Sequence, residues 1–397
     1  MITNQQLIEL SSSDVPDLLC FSHLRWDFVY QRPQHLMSRL NKRFRVFFIE
    51  EPLFHQQKDS FKLMETEEGV MVVTPMLNEK DIGVTSVLNR QKILITQLLN
   101  RQNIQKFIAW YYTPMALKIS SHLNPEVVVY DCMDELSAFK FAPAELKLME
   151  AELFKKAQVV FTGGHSLYEA KKNLHANIFA FPSSIEKQHF EQARKMLAIP
   201  ADQVGIKGIK IGFYGVIDER FNIKMIEAVA DSRPEWQLIL VGPVVKIDPA
   251  DLPRSANIHY LGGKTYRELP LYLSGWDIAM IPFEKNDSTK FISPTKTPEY
   301  LAAGKPVIST SITDVVTPYA NNGLVYIADT AAEFIQAVET ELNKTPDEYD
   351  AWLQQVDNFL QYVSWDNCVV QMLKPIDDCL SQTSEQSRER QAFKSVA

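Results

Sequence analysis

A chain of 397 residues is too long for one ordinary hydrophobic core and points to two domains. Hydrophobic residues make up 46% and charged residues 23%, an ordinary globular balance, and the formal net charge of −8 excludes an electrostatic grip on nucleic acid as the main activity. The four cysteines, Cys20, Cys132, Cys368 and Cys379, form no C-x-x-C pair and lie at no zinc-ligand spacing from a histidine, so they read as reduced thiols of a cytosolic protein.

The first residues, MITNQQLIELSSSD, have neither the basic nor the apolar region of a signal peptide. No apolar stretch of about 18 residues follows that could span a bilayer, which points to a cytoplasmic protein. DLLCFSH (17–23), RVFFIEE (45–51), VMVVTP (70–75), KFIAWYY (106–112), EVVVYD (126–131) and VVFTGG (159–164) read as buried strands, with helical patterns such as RPQHLMSRLNK and PAELKLMEAELFKKA between them. Continuous apolar runs, as opposed to strict alternation, indicate parallel strands covered on both faces. The polar segment 183–208 breaks this rhythm and reads as a linker. A second series follows: KIGFYG (210–215), WQLILVGP (236–243), NIHYLGG (257–263), DIAMIPF (277–283), KPVIST (305–310) and GLVYIAD (323–329). The pattern predicts an α/β protein with two Rossmann-like, doubly wound parallel-sheet domains, 14–182 and 209–362, facing a cleft. A helix over 363–382 and a frayed polar tail over 383–397 complete the chain. Ligands of open α/β sheets bind beyond the strand C-termini, so the loops after the strands carry the interest.

GGKT (262–265) follows a strand, but the first glycine of a P-loop would fall at 258, where Ile258 stands. It reads as a glycine-bearing strand-to-helix loop. No G-x-G-x-x-G follows any strand, which disfavours a dinucleotide-dependent dehydrogenase, and no D-x-D, H-x-x-x-H or H-E-x-x-H marks a metal site. SPTKTPEYLAAGKPVIST (293–310) is more informative. Thr297 and Pro298 suit an N-cap and first helical residue, Glu299 suits the first turn, and Gly304 ends the helix. Lys296 fits none of this, because a cation is disfavoured at the positive end of a helix unless an anion docks there. A diphosphate is the natural candidate, with Glu299 free to hold ribose hydroxyls.

PTKTPEYLAAGKPVIST resembles the sugar-nucleotide signature of GT-B-fold glycosyltransferases, especially family 4 and its relatives in bacterial polysaccharide synthesis. The resemblance implies that Lys296 meets the donor diphosphate, that Glu299 holds the ribose and that Thr297 belongs to the same site. FYGVIDERFNIKMIEAVADSRPEWQLILVGP (213–243) is similar to the family's glycine loop, helix and strand, which brings Gly215 to the donor phosphates and makes Arg220 an approximate counterpart of the family's lysine. NIHYLGGKTYRELPLYLSGWDIAMIPF (257–283) resembles the segment lining the nucleobase pocket. FSHLRWDFVYQRPQHLMSRL (21–40) resembles the acceptor-facing loop of a subgroup, which places Trp26, Arg32 and His35 on the acceptor side. The two domains then take acceptor-side and nucleotide-sugar-binding roles, and the 363–382 helix crosses back to brace the first. Two departures stand out: the position eight residues before Glu299, a glutamate in many members, is Phe291, and the arginine of the family's glycine loop is Val216.

With no D-x-D, leaving-group stabilisation falls to Lys296, the helix N-terminus and amides around Gly215, and no metal or cofactor is expected. An inverting reaction needs a base, for which Asp131 and Asp134 of YDCMDEL are candidates, with His35 beside Arg32 as a further catalytic candidate. Each also has a structural reading: the aspartates as strand-end and turn caps, the histidine as a helix packing residue. The resemblance implies a nucleoside-diphosphate-sugar donor, with a UDP-sugar favoured, and a glycan or lipid-linked acceptor. Lys42, Arg43, Arg45, Lys171 and Lys172 could assist peripheral contact with the inner face of the membrane. The competing readings are a catalytically inactive sugar-nucleotide-binding scaffold and a nucleotide-sugar epimerase on the same fold.

Overall fold

The computed structural model describes residues 15–195 and 197–396, with side chains through 385. The N-terminal stretch MITNQQLIELSSSD lies outside the described residues. Apolar runs become strands where the sequence places them. The first sheet comprises β1 (Asp17–Phe21), β2 (Val46–Ile49), β3 (Leu53–His55), β4 (Ser60–Glu65), β5 (Met71–Asn78), β6 (Phe107–Tyr111), β7 (Val127–Cys132), β8 (Val159–Thr162) and β9 (Ile178–Ala180). Among the described residues its order is β3-β5-β2-β1-β6-β7-β8-β9, with β4 antiparallel to β5 at the edge and the other pairings parallel. Burial explains the parallel centre: β2 and β6 are buried at every residue, whereas β4 has none buried. β3, β4 and β9 escape the sequence reading because they are short or half-exposed edge pieces without an apolar run.

The second sheet holds β10 (Lys210–Tyr214), β11 (Gln237–Val241), β12 (Ile258–Gly262), β13 (Ile278–Ile281), β14 (Val307–Ser309) and β15 (Val325–Ile327). Its order is β12-β11-β10-β13-β14-β15, all parallel. In each sheet the strand order reverses at the first strand of the domain. β1 lies between β2 and β6, and β10 lies between β11 and β13. The crevices opened by these reversals put the loops after Phe21 and Tyr214 at the natural ligand positions.

The polar segment 183–208 is not a bare linker. Ile185 and Phe190 are buried in the core of the second domain, and the Gln203 side chain accepts from Trp276 Nε1 (2.9 Å) while donating to the Tyr272 carbonyl (3.0 Å). Its charged residues hide an apolar face at helical spacing. The last helix runs from Trp365 to Val396, past the end expected near 382 and through most of the segment read as a frayed tail. Trp365, Val369, Met372 and Ile376 pack into the first domain's core, so this helix does cross back. No helix among the described residues is long and apolar enough to cross a membrane.

Candidate active site

The second domain's wall is built around Gly215, immediately after β10. Its φ of +135° is a glycine conformation, and a Cβ there would collide with Cε of Lys296. Gly242, after β11, has φ +150° for the same reason of close approach, since a Cβ would strike the Gly215 carbonyl. Lys296 therefore lies directly on the Gly215 backbone, with its ammonium 5.5 and 5.7 Å from the ring centroids of Phe213 and Phe283. It has no ion pair among the described residues. Burial lowers its pKa first, the charge of Arg220 adds to this, and Glu299 and Asp218 oppose it. Arg220 is held two-pronged by Asp218, with contacts of 2.7–3.1 Å. Asp218 answers the charge of Arg220, and Lys296 is left beside the glycine loop with no ion pair among the described residues.

Glu299 is 3% exposed and accepts from the Tyr214 hydroxyl. Burial pushes its carboxyl above the ordinary range, against the pull of Tyr214 and Lys296. The Tyr214 amide donates to the Tyr300 hydroxyl at 2.9 Å, so strand end and helix are pinned together. The helix itself, Lys296–Ala302, starts two residues earlier than the Thr297-Pro298 pattern predicts, and Thr295 occupies the N-cap. The turn begins at Pro294, whose carbonyl accepts the Thr297 amide at 3.2 Å. Thr297 is no cap: it is fully buried and its hydroxyl has no partner among the described residues. Pro298 is tolerated because a first-turn amide has no carbonyl to reach.

The first domain's wall separates the two candidate aspartates. Asp131 closes β7 and is fully buried against Arg32, which donates from Nε at 3.1 Å to both carboxylate oxygens and from Nη2 at 2.9 Å. Nη1 of Arg32 donates to the Phe181 carbonyl at 2.7 Å. Burial opposes the guanidinium charge but the Asp131 carboxylate outweighs it and raises the Arg32 pKa, while burial raises the Asp131 carboxyl against the pull of Arg32. Asp131 is consumed by structure and Arg32 with it, a correction to both the catalytic and the acceptor-side roles. Asp134 makes no side-chain hydrogen bond or ion pair among the described residues. Its pKa is pushed up to about 6, first by burial, then by Asp131 and Asp218, against Arg220 and Arg32. A carboxyl without a partner that titrates near that value has the pKa a general base needs.

His35 is not a cleft residue. Its ring is fully buried, stacked on Trp365 at 4.8 Å and edge-on to Tyr30 and Tyr266, and neither ring nitrogen has a hydrogen-bond partner. Burial holds it neutral, well below its ordinary pKa. Aromatic residues of the preceding loop and of two distant segments enclose it, which helical periodicity alone does not reveal. Trp26 is 7% exposed and packs edge-on to Phe48, with its outer edge on the cleft. His23, two residues after β1, was missed by sequence reasoning. Its Nδ1 is buried and unpartnered, and burial with the Lys246 charge of the facing domain lowers its pKa to about 4. Its place directly after the first strand was the available signal.

The main cleft, about 1530 Å³, runs from Trp26 and Tyr30 to Tyr214, Gly215, Gly242 and the GGKT loop. Within that loop Lys264 pairs with Asp202 at 2.7 Å and Thr265 forms a capping box with Glu268, so its lysine is not available for a P-loop role. The two glycines of FTGGHS serve packing: a Cβ at Gly164 would strike Asp314 of the other domain, and Asp314 accepts the Ser166 amide at 2.9 Å. The basic runs do not form an open patch. Arg43 pairs with Asp377, Arg45 with Asp17, Lys171 with Glu135 and Glu150, Lys172 with Glu169, and Lys42 lies 3.9 Å from Asp366.

Residues 209–344 match the family model for "Glycosyl transferases group 1". A Bacillus subtilis (strain 168) protein, TuaH, whose name assigns it to teichuronic acid biosynthesis as a glycosyltransferase, is 27% identical over 291 residues, 68% of this chain and 72% of its own. Among solved structures, sucrose-phosphate synthase from Thermosynechococcus elongatus superposes with a TM-score of 0.69 at 13% identity, covering 92% of this chain and all of that one. Anabaena HepE in complex with UDP and glucose gives 0.63 at 13% identity, covering 91% and 99%. The chain is a glycosyltransferase of the GT-B fold, with a group 1 domain over 209–344.

Proposed function

We propose that this glycosyltransferase moves a sugar from a nucleoside diphosphate, with UDP favoured, to a glycan or lipid-linked acceptor in cell-surface polysaccharide synthesis. The observation that carries the reading is the unpaired Lys296 ammonium seated on Gly215 beside Arg220. These two cations take the diphosphate, whose negative charge grows as the bond to the sugar anomeric carbon breaks, and their stabilisation increases with it. They do the work of a metal ion, so the reaction proceeds without one. Glu299 holds the ribose hydroxyls, and the loops at Gly242 and 263–266 flank the base.

Asp134 takes the proton from the acceptor hydroxyl as its oxygen bonds to the anomeric carbon, and the nucleoside diphosphate leaves from the opposite face. The anomeric configuration inverts. The UDP in the HepE structure and the polysaccharide role in TuaH's name support the donor and pathway class.

Thermal stabilisation by UDP, GDP, dTDP, ADP and NAD tests the donor class. Ligand linkage predicts about 2.7 kcal/mol when free ligand is 100 times its dissociation constant. UDP alone should shift the transition, and EDTA should leave both that shift and turnover unchanged. A shift with NAD only would sink the reading. Stabilisation by UDP without transfer to any glycan would mark a sugar-nucleotide-binding scaffold instead.

A further inference from the structure

The loop that presents Asp134 to Arg220 turns its next residues, Glu135 and Ser137, toward a second cavity of about 790 Å³ between the domains. The helix Leu146–Lys156 forms one wall, with Lys147 and Phe154, and the second domain forms the other, with Lys290 and Phe291. None of these residues lines the main cleft. The two cavities share no lining residue, and the loop that carries Asp134 continues into the second through Glu135 and Ser137.

The polar groups of this second cavity are unequally committed. Glu135 and Glu150 both receive the buried ammonium of Lys171, at 2.8 and 2.9 Å, and Glu150 also accepts from the Tyr130 hydroxyl at 2.7 Å. Two carboxylates thus share one ammonium, and the one negative charge left over lies on the first domain's side of the cavity. Lys155 is held by Glu152 at 2.7 Å. Lys147 and Lys290, one from each domain, have no carboxylate partner among the described residues. Lys290 instead lies 5.1 Å over the ring of Phe291. Asp287 is the remaining uncommitted carboxylate on the wall.

We propose that this cavity is an acceptor subsite for an anionic sugar unit, either a hexuronate or a glycosyl phosphate. Resting on the transferase reading, it places the acceptor one residue along the chain from the proposed base. The negative group bridges Lys147 and Lys290, the ring's C–H face packs on Phe154 and Phe291, and Asp287 accepts from hydroxyls. Because the lysines come from different domains, binding also draws the two domains together.

Ligand-observed NMR on the full chain tests this with three probes: a glucuronate-terminated disaccharide, glucose 1-phosphate and neutral methyl glucoside. At least one anionic probe should bind roughly tenfold tighter than the neutral sugar, the scale of one charge-assisted hydrogen bond. The better anion identifies the source as carboxylate or phosphate. The Lys147→Glu/Lys290→Glu double variant should lose the preference, and Lys296→Ala should keep it. Equal binding of all three probes, a preference that survives the double charge reversal, or one abolished by Lys296→Ala would overturn the proposal. UDP stabilisation measured on the same proteins reports separately on the donor. If UDP fails to stabilise them while the anion preference tracks Lys147 and Lys290, the nucleotide reading falls and the subsite stands.

Discussion

Asp131 and Asp134 lie three residues apart at the end of β7 and have opposite fates. Asp131 ends a strand at the centre of a sheet, where Arg32 can enclose it and bring the start of a helix with it. Asp134 lies one turn beyond the strand, where the other domain supplies only distant charges. The first therefore ties a strand end to a helix, and the second has no side-chain partner among the described residues. Burial without a partner is what a base requires and what stability opposes.

The sharpest way to test that contrast is Asp134→Asn, which should lower kcat by about 10²–10⁴-fold, the usual worth of general acid–base catalysis. Wild-type activity should fall as pH drops through about 6, because protonation removes the base. The sign for stability is the reverse. A carboxyl whose folded pKa is raised from the ordinary 3.8 to about 6 makes the folded state less stable as pH rises through that window. Melting curves at pH 5 and pH 8 should show Asp134→Asn gaining on wild type at the higher pH. A variant less stable at pH 8 would mean that Asp134 is structural after all.

Asp131→Asn should do the opposite, costing about 3–5 kcal/mol by leaving Arg32 buried and uncompensated. Urea unfolding reads this directly, and an unchanged midpoint would break the comparison. Lys296→Ala comes next. Removing a charged partner should weaken nucleoside-diphosphate binding by about 1.5–3 kcal/mol and leave nucleoside binding nearly intact. Isothermal titration with UDP and uridine separates these, and equal losses would remove Lys296 from the diphosphate. The smallest effect belongs to His35→Phe. A swap of similar volume in an aromatic nest should change stability by less than about 1.5 kcal/mol and leave kcat alone. A collapse in kcat at unchanged stability would restore His35 to the catalytic group.

The two walls were not equally legible. The second domain's wall is local: Lys296 and Glu299 fall within one helix, and Gly215 directly follows a strand, so pattern and family resemblance located them together. The first domain's wall is assembled from segments about a hundred residues apart, as with Arg32 and Asp131. Nothing in YDCMDEL distinguishes a carboxylate that meets an arginine from one that does not. Thr297 shows that even a local pattern can miss, because an earlier turn at Pro294 took over the helix start.

By itself the sequence determined the two α/β domains, the twelve strands that carry them and the nearness of Lys296 and Glu299 along one helix. Those follow from apolar periodicity and from residues close along the chain, which act before any long-range contact forms. Tertiary structure alone decided which charges are neutralised. It paired Asp131 and left Asp134 open, closed His35 under Trp365, and set Lys147 opposite Lys290. The physical reason is that desolvation and pairing depend on neighbours brought together by the fold, and a charge's chemistry depends on both.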